Sequence, residues 1–264
     1  MNSKAIKRQL LAAIAMVLVA AIALGSSTYA WFAAQNDVKA EGMMLQAQGE
    51  SGIVIKSVEN TSSKFASIAS AGMTSTDESM LKPTSTTDLG TWYHARSDIQ
   101  DDAKAKQDKN KYETLVSTEG YVLKRSFIIR SAADSVPVTG VKLAVSNVSV
   151  TSTTTDSQNL DKALRIGVKV ANQFFIYNPA AQTTSTVTMT YGDGKGSVSW
   201  LNAAEKTRDL FTLSNNTIPA NDTELVAEIY MWFEGEDENC KSTNITASLD
   251  KLQVSVTFES VAIT

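Results

Sequence analysis

A chain of 264 residues with a formal net charge of −4, one cysteine and one histidine is long enough to bury a core without covalent staples. A lone cysteine excludes an internal disulfide framework, and one His with one Cys leaves nothing from which to cluster a zinc site. No Lys- or Arg-rich run interrupts the acidic balance, so affinity for nucleic acid through counterion release is excluded as well.

The N-terminus carries an address. Lys4, Lys7 and Arg8 precede an uncharged, proline-free run from Leu10 to Leu24, and Gly25, Ser26, Ser27 and Thr28 then lead to Tyr29 and Ala30. Basic start, apolar middle and small-residue exit is the layout of a secretory signal helix cut by signal peptidase between Ala30 and Trp31. The uncharged stretch continues through Trp31, Phe32, Ala33 and Ala34, so an uncleaved chain would instead be anchored by the same ~20 apolar residues. Either way the rest is expected outside the cell, secreted or at the cell surface, touching the membrane only through this segment. Loss of residues 1–30 removes three cations and no carboxylate, leaving a more acidic exported part. That part, residues 31–264, has the length of a single domain.

Val38 to Gln48 reads as the first strand, with Gly49 to Gly52 reversing the chain into Ile53, Val54 and Ile55. Residues from about 60 to 120 are rich in Ser, Thr, Lys and Asp, lack sustained periodicity and are punctuated by Pro83 and Gly90. They read as a long polar insertion lying on the domain, with Ser97 capping a surface helix that extends to Tyr112. Tyr121, Leu123, Phe127 and Ile129 then alternate with Val122, Lys124, Ser126 and Ile128 and share one face of a strand. Val141, Leu143 and Val145 share a face too, but Val148 and Val150 have the opposite parity, which predicts a β-bulge or break near Asn147.

Leu164, Ile166, Val168 and Val170 form a further strand with one wet face, followed by short strands at Phe174 to Tyr177, Val187 to Tyr191 and Val198 to Trp200. Asn202 followed by Glu205 is a capping-box pattern for a short helix from Ala203 to Leu210. Leu225 to Phe233 is apolar on both faces and therefore central, and the alternation from Leu252 to Phe258 closes the sheet. About nine to eleven strands and few helices predict an all-β, antiparallel sandwich.

Chemistry is sparse. His94 is the only base for a Ser-His or Cys-His arrangement, neither a GxSxG elbow nor an HExxH motif is present, and its polar surroundings make it an exposed insertion residue. No enzyme is expected, although a spatial pair of carboxylates for glycoside cleavage leaves no mark in sequence. Glu234, Glu236 and Asp237 flank Gly235, and their oxygens could hold calcium. The leading expectation is a solvated acidic turn without a cofactor, with calcium as its alternative. Cys240 reads as a buried small apolar residue, with a free thiol or an intermolecular bridge as the alternatives. Asn-x-Ser/Thr matches at Asn60, Asn147, Asn215, Asn221 and Asn244 mark exposed turns.

Ser27-Thr28-Tyr29-Ala30-Trp31-Phe32, followed by Asn36-Asp37 and Gly42, resembles the signal and mature start of the TasA and camelysin-like matrix proteins of Gram-positive biofilms, which are processed by a SipW-type peptidase. Leu123 to Arg130 with Val141 to Val145, and Val254 to Glu259, are similar to paired and closing strands of that family. The resemblance implies a jelly-roll-like sandwich whose copies build an extracellular fibre, a homo-polymer in which an N-terminal strand passes into the next subunit. Here that strand would run from Trp31 to Gln48 and place Trp31, Phe32, Val38, Met43 and Leu45 in the neighbour. Strand addition to an open sheet edge is a sound way to bury such a terminus. The competing expectation is a monomeric surface module that binds carbohydrate or matrix through Trp92, Tyr93 or other aromatics of the insertion.

Overall fold

Alternation with period two arises when one face of a sheet is dry and the other wet, and in the computed structural model of this protein it resolves into sixteen strands among the described residues. The structure describes residues 44–60, 62, 64–72, 81–95, 112–151, 160–181, 185–188, 197–202, 210–220, 225–235, 237, 239–240 and 252–263. In chain order the strands are β1 (Met44–Gly49), β2 (Ile53–Ser57), β3 (Ile68–Gly72), β4 (Tyr93–Ala95), β5 (Tyr112–Thr114), β6 (Leu123–Ser131), β7 (Val138–Thr139) and β8 (Val141–Thr151). They continue as β9 (Leu164–Val170), β10 (Gln173–Asn178), β11 (Ser185–Thr188), β12 (Ser197–Asn202), β13 (Leu210–Phe211), β14 (Thr217–Ile218), β15 (Val226–Phe233) and β16 (Gln253–Ala262).

Two sheets pack face to face as an all-β sandwich: β13-β8-β16-β1-β3 and β11-β12-β10-β9-β15-β6-β2. Leu45, Val256 and Phe258 from the first meet Ile55, Phe127, Ile166, Val168 and Met231 from the second in one core. The bulge expected near Asn147 is present: Thr257 pairs with Asn147 while Phe258 pairs with Val145, so Ser146 is the extra residue. It turns Val148 inward again, alongside Leu143 and Val145, and all three are buried. β15, apolar on both faces, lies in the middle of its sheet between β9 and β6, as expected.

Several expectations need correction. Pairing is not purely antiparallel, because β1 runs parallel to β16 and β10 parallel to β12. β1 and β16 come from far-apart parts of the chain, so no hairpin dictates their relative direction. β16 does not close the sheet but lies within it, between β8 and β1. Glu50 to Gly52 is a corner rather than a hairpin, since β1 and β2 belong to different sheets. Ser51 and Gly52 turn it with φ of 54° and 83°, the left-handed region that Gly tolerates best. The polar region from 60 to 120 is more than an insertion, because β3 is an integral strand beside β1, with Ala69 and Ala71 buried. Helical structure among the described residues is limited to 3-10 turns at Leu160–Ala163 and Ser214–Asn216.

The signal segment, the Ala30/Trp31 cleavage point and Trp31 to Met43, with Phe32 and Val38, lie outside the described residues. So do most of the expected Ser97 to Tyr112 helix and of the Ala203 to Leu210 helix, whose end positions Tyr112 and Leu210 lie in β5 and β13. Among the described residues no helix is long and apolar enough to cross a membrane.

Candidate functional site

Three regions were candidates from sequence. In the acidic segment after β15, Glu234 is fully buried and Asp237 is 9% exposed, so the expectation of a solvated turn fails there. Arg165 explains it. Lying on β9 opposite in parity to Leu164 and Ile166, it reaches the outer face of the seven-stranded sheet, pairs with Asp237 and donates to the carbonyls of Lys162 (2.7 Å) and Leu164 (2.9 Å). Asp237 also accepts from the backbone and side-chain nitrogens of Asn239, at 2.8 and 2.9 Å. Glu234 accepts from the Ser85 hydroxyl and from the Trp232 indole N–H at 3.3 Å.

The calcium expectation therefore meets two carboxylates already engaged by protein donors, while Glu236 lies outside the described residues. Among the described residues no three acidic, His or Cys side chains form a group that could hold a metal. Cys240 is buried against the same cluster, its backbone N–H bonded to the Asp237 carbonyl at 2.9 Å. Burial, with the Asp237 and Glu234 charges beside it, raises the thiol pKa well above its usual value. Such a sulfur is a packing group rather than a nucleophile.

The second region is the segment from Leu81 to Ala95, which crosses the outer face of β9 and β15. Backbone bonds tie it to the end of β15, Thr84 N–H to the Phe233 carbonyl (3.1 Å) and Gly235 N–H to the Thr84 carbonyl (3.1 Å), and close it on itself through Ser85 and Tyr93 in both directions (2.9 Å). Trp92 stacks edge-on against Trp232 with centroids 5.1 Å apart and lies 6.1 Å from Tyr230. At 4% exposure Trp92 cannot serve as an open platform for sugar rings. Tyr93 is half-buried against the same cluster. His94 is not a free surface residue either. Its Nε2 lies 3.1 Å from Glu113, and its ring is 5.4 Å from that of Tyr121.

The third region is the proposed donor segment. Leu45, expected to be given to a neighbour, is fully buried in its own subunit, and β1 is paired on both sides, with β16 and with β3. With β1 seated in its own sheet, a segment passed to another copy would comprise residues before Met44. Among the described residues β3 is an edge strand, of the sequence Ile-Ala-Ser-Ala-Gly without charge or proline, and Ile68 is 47% exposed on it. Such an edge lacks the usual protection against pairing with another chain.

Sequence reasoning missed a groove of about 560 Å³ at one end of the sandwich. Its apolar wall comprises Pro137, Leu213, Pro219, Ala220 and Leu225, and Asp134 and Asn215 are among its polar lining residues. The segments that form it come together because β14 pairs with β7 and Ser131 N–H bonds the Pro219 carbonyl at 2.8 Å. Prolines flanking short apolar stretches mark loop ends, but only the pairing of β7 with β14 makes those loops neighbours. Comparisons with protein-family models, with curated proteins and with solved structures find no match to this chain.

Proposed function

We propose that this chain is an exported, non-enzymatic structural subunit of an extracellular or cell-surface fibre, such as a biofilm matrix, assembling with other copies through its N-terminal segment. The observation that carries the reading is the attachment of that segment. A secretory pattern is followed by an apolar terminus, Trp31-Phe32-Ala33-Ala34, and the same chain then enters the five-stranded sheet as an interior strand, between β16 and β3. Force applied to such a terminus is transmitted to paired strands rather than to a loop.

The uncharged edge of β3 supports the reading further, since it offers a place where a strand from another copy could pair. A terminus leaving one copy and docking on a different surface of the next repeats without closing, which gives filaments. Burial of Trp92 speaks against the competing carbohydrate-binding module.

Sedimentation velocity of the chain beginning at Trp31 tests the proposal. Mass that grows with concentration past the dimer is the expected result, whereas a monomer at every concentration and pH would remove it.

A further inference from the structure

The outer faces of the two sheets carry different chemistry. On the seven-stranded sheet Lys56, Lys124, Arg130, Lys169 and Glu228 hold outward positions. On the five-stranded sheet, registered rows cross β8, β16, β1 and β3, from the row of Gln253 to the row of Gln48, without an Asp, Glu, Lys or Arg. The middle row is Ser149, Ser255, Gln46 and Ser70. In a chain with 20% charged residues, a face this free of charge departs from ordinary surface composition.

We propose that this face binds a neutral, hydroxyl-rich glycan laid flat across β8, β16, β1 and β3. Gln253 Nε2 donates to Gln46 Oε1 at 2.9 Å, and Gln46 Nε2 donates to Ser70 Oγ at 3.0 Å. Each of these bonds uses one N–H of a carboxamide that has two. The row is thus oriented by the protein while each amide nitrogen carries a second donor, and groups held in place in advance lose less entropy on binding. Sugar hydroxyls both donate and accept, which suits a surface of alternating amides and serines. At opposite corners Met44 and Ile68, 36% and 47% exposed, add apolar surface for the C–H face of a pyranose ring.

Charge and area select this occupant. The rows offer no cation to a phosphate, sulfate or uronate, and the charges that border them beyond Gln48 and Thr257 are the carboxylates of Glu50, which accepts from Gln48 at 3.4 Å, and Glu259. An anionic polymer is therefore repelled where a neutral one is not. At the usual strand rise and spacing the uncharged rows cover about 400 Å², half of the roughly 800 Å² that each partner gives to a stable protein interface. A protein would have to extend past the patch, whereas a few sugar units fill it. A single copy presents the whole face, so the inference does not rest on fibre formation. Assembly would only multiply the sites along a glycan and raise the avidity.

Biolayer interferometry on the chain beginning at Trp31, immobilised sparsely, tests the proposal. The probes are uncharged glucans of different linkage, namely hydroxyethyl cellulose, dextran and soluble starch, with carboxymethyl cellulose as the anionic counterpart of the first. Reversible binding of a neutral glucan without binding of carboxymethyl cellulose is expected. Gln46→Glu with Ser255→Asp places carboxylates in the middle row and should weaken that binding about tenfold or more. Gln46→Ala with Gln253→Ala removes the amide row without adding charge and should weaken it too. Val136→Asp, on a loop residue 62% exposed and outside these rows, should leave it unchanged. Circular dichroism checks that each variant folds. Silence of all three neutral glucans, equal binding of carboxymethyl cellulose, or wild-type binding by either folded double variant would overturn the site. Sedimentation velocity of the same samples reports assembly separately, so loss of the glycan site and loss of the fibre reading are told apart.

Discussion

The two sheets solve the same problem differently on their outer faces. On the five-stranded sheet, Asn147, Ser149, Gln253, Ser255, Gln46, Gln48 and Ser70 face outward, and each is half-buried or exposed. Gln253 donates to Gln46 at 2.9 Å, and Gln46 donates to Ser70 at 3.0 Å, so a short amide and hydroxyl row crosses three strands. On the seven-stranded sheet part of the outer face of β9 and β15 is dry: the segment from Leu81 to Ala95 packs on Gly167, Tyr230 and Trp232, and Asp237 pairs with the buried Arg165, while Lys169, Val226 and Glu228 stay partly exposed. A sheet with one wet face needs only alternation. With two dry faces it needs a cover, and a cover made of polar chain must have its own hydrogen bonds satisfied.

That cover is held by hydroxyls and one unusual leucine. Thr84 donates to the Tyr93 carbonyl at 2.8 Å and Thr86 to the Thr91 carbonyl at 2.7 Å, so buried hydroxyls have backbone partners. Leu89 adopts φ 54°, a conformation costing roughly 1–2 kcal/mol for a residue with a Cβ. The position is compensated by burial, with Leu89 only 3% exposed. Its side chain lies where a Cβ on Gly167 would come within 2.6 Å.

The largest expected contrast between the two faces is electrostatic. Asp237→Ala leaves the fully buried Arg165 without its carboxylate, and removing one partner of a buried pair costs about 3–5 kcal/mol. Gln46→Ala on the wet face should fall within about 0.5 kcal/mol of wild type. Urea denaturation measures both, and equal costs would erase the distinction between the faces.

A smaller effect is expected from Gly167→Ala, which crowds Leu89 and should cost about 1–3 kcal/mol as overpacking. Leu89→Ala opens space at the same contact, so the double variant should be less destabilised than the sum of the singles. Strict additivity in the same denaturation series would show that the cover does not press on β9 at this point.

The smallest effect is a pH dependence of the cover. Burial pushes the Asp88 pKa up, but N–H groups of Thr91 and Gly90 and the hydroxyls of Thr86 and Thr91 outweigh it and leave the group below its ordinary value. A depressed carboxylate contributes stability above its unfolded pKa, about 3.9, and loses it as pH falls through the folded value. Glu228 acts in the same direction: burial raises its pKa, while hydrogen bonds from Lys124 and Tyr230 and the charges of Lys124 and Lys169 lower it further. Asp88→Asn should therefore flatten, without abolishing, the fall of melting temperature between pH 5 and 2. An unchanged slope would assign that fall to other groups.

The same comparison explains what could be read from sequence. The parity break between Val145 and Val148 located the bulge, and apolar side chains on both faces of Val226–Phe233 located a central strand, because each places a period-two pattern against one core. β3 was obscured because its inward residues, Ala69 and Ala71, are small and stand in a Ser- and Thr-rich stretch. The cover was obscured because Thr84, Ser85 and Thr86 are buried polar residues whose partners are set by tertiary contacts. Glu234 and Asp237 were read as a solvated turn because Arg165 and Ser85 lie in separate parts of the chain. The groove depends on the β7 and β14 pairing and had no local signature.

In the proposed fibre the segment before Met44 joins one copy to the next. Negative-stain microscopy of the chain beginning at Trp31, beside a version lacking residues 31–43 but keeping β1, tests it most directly. The account predicts filaments from the first and separate particles from the second. Filaments from both, or folded single particles from both, would contradict it.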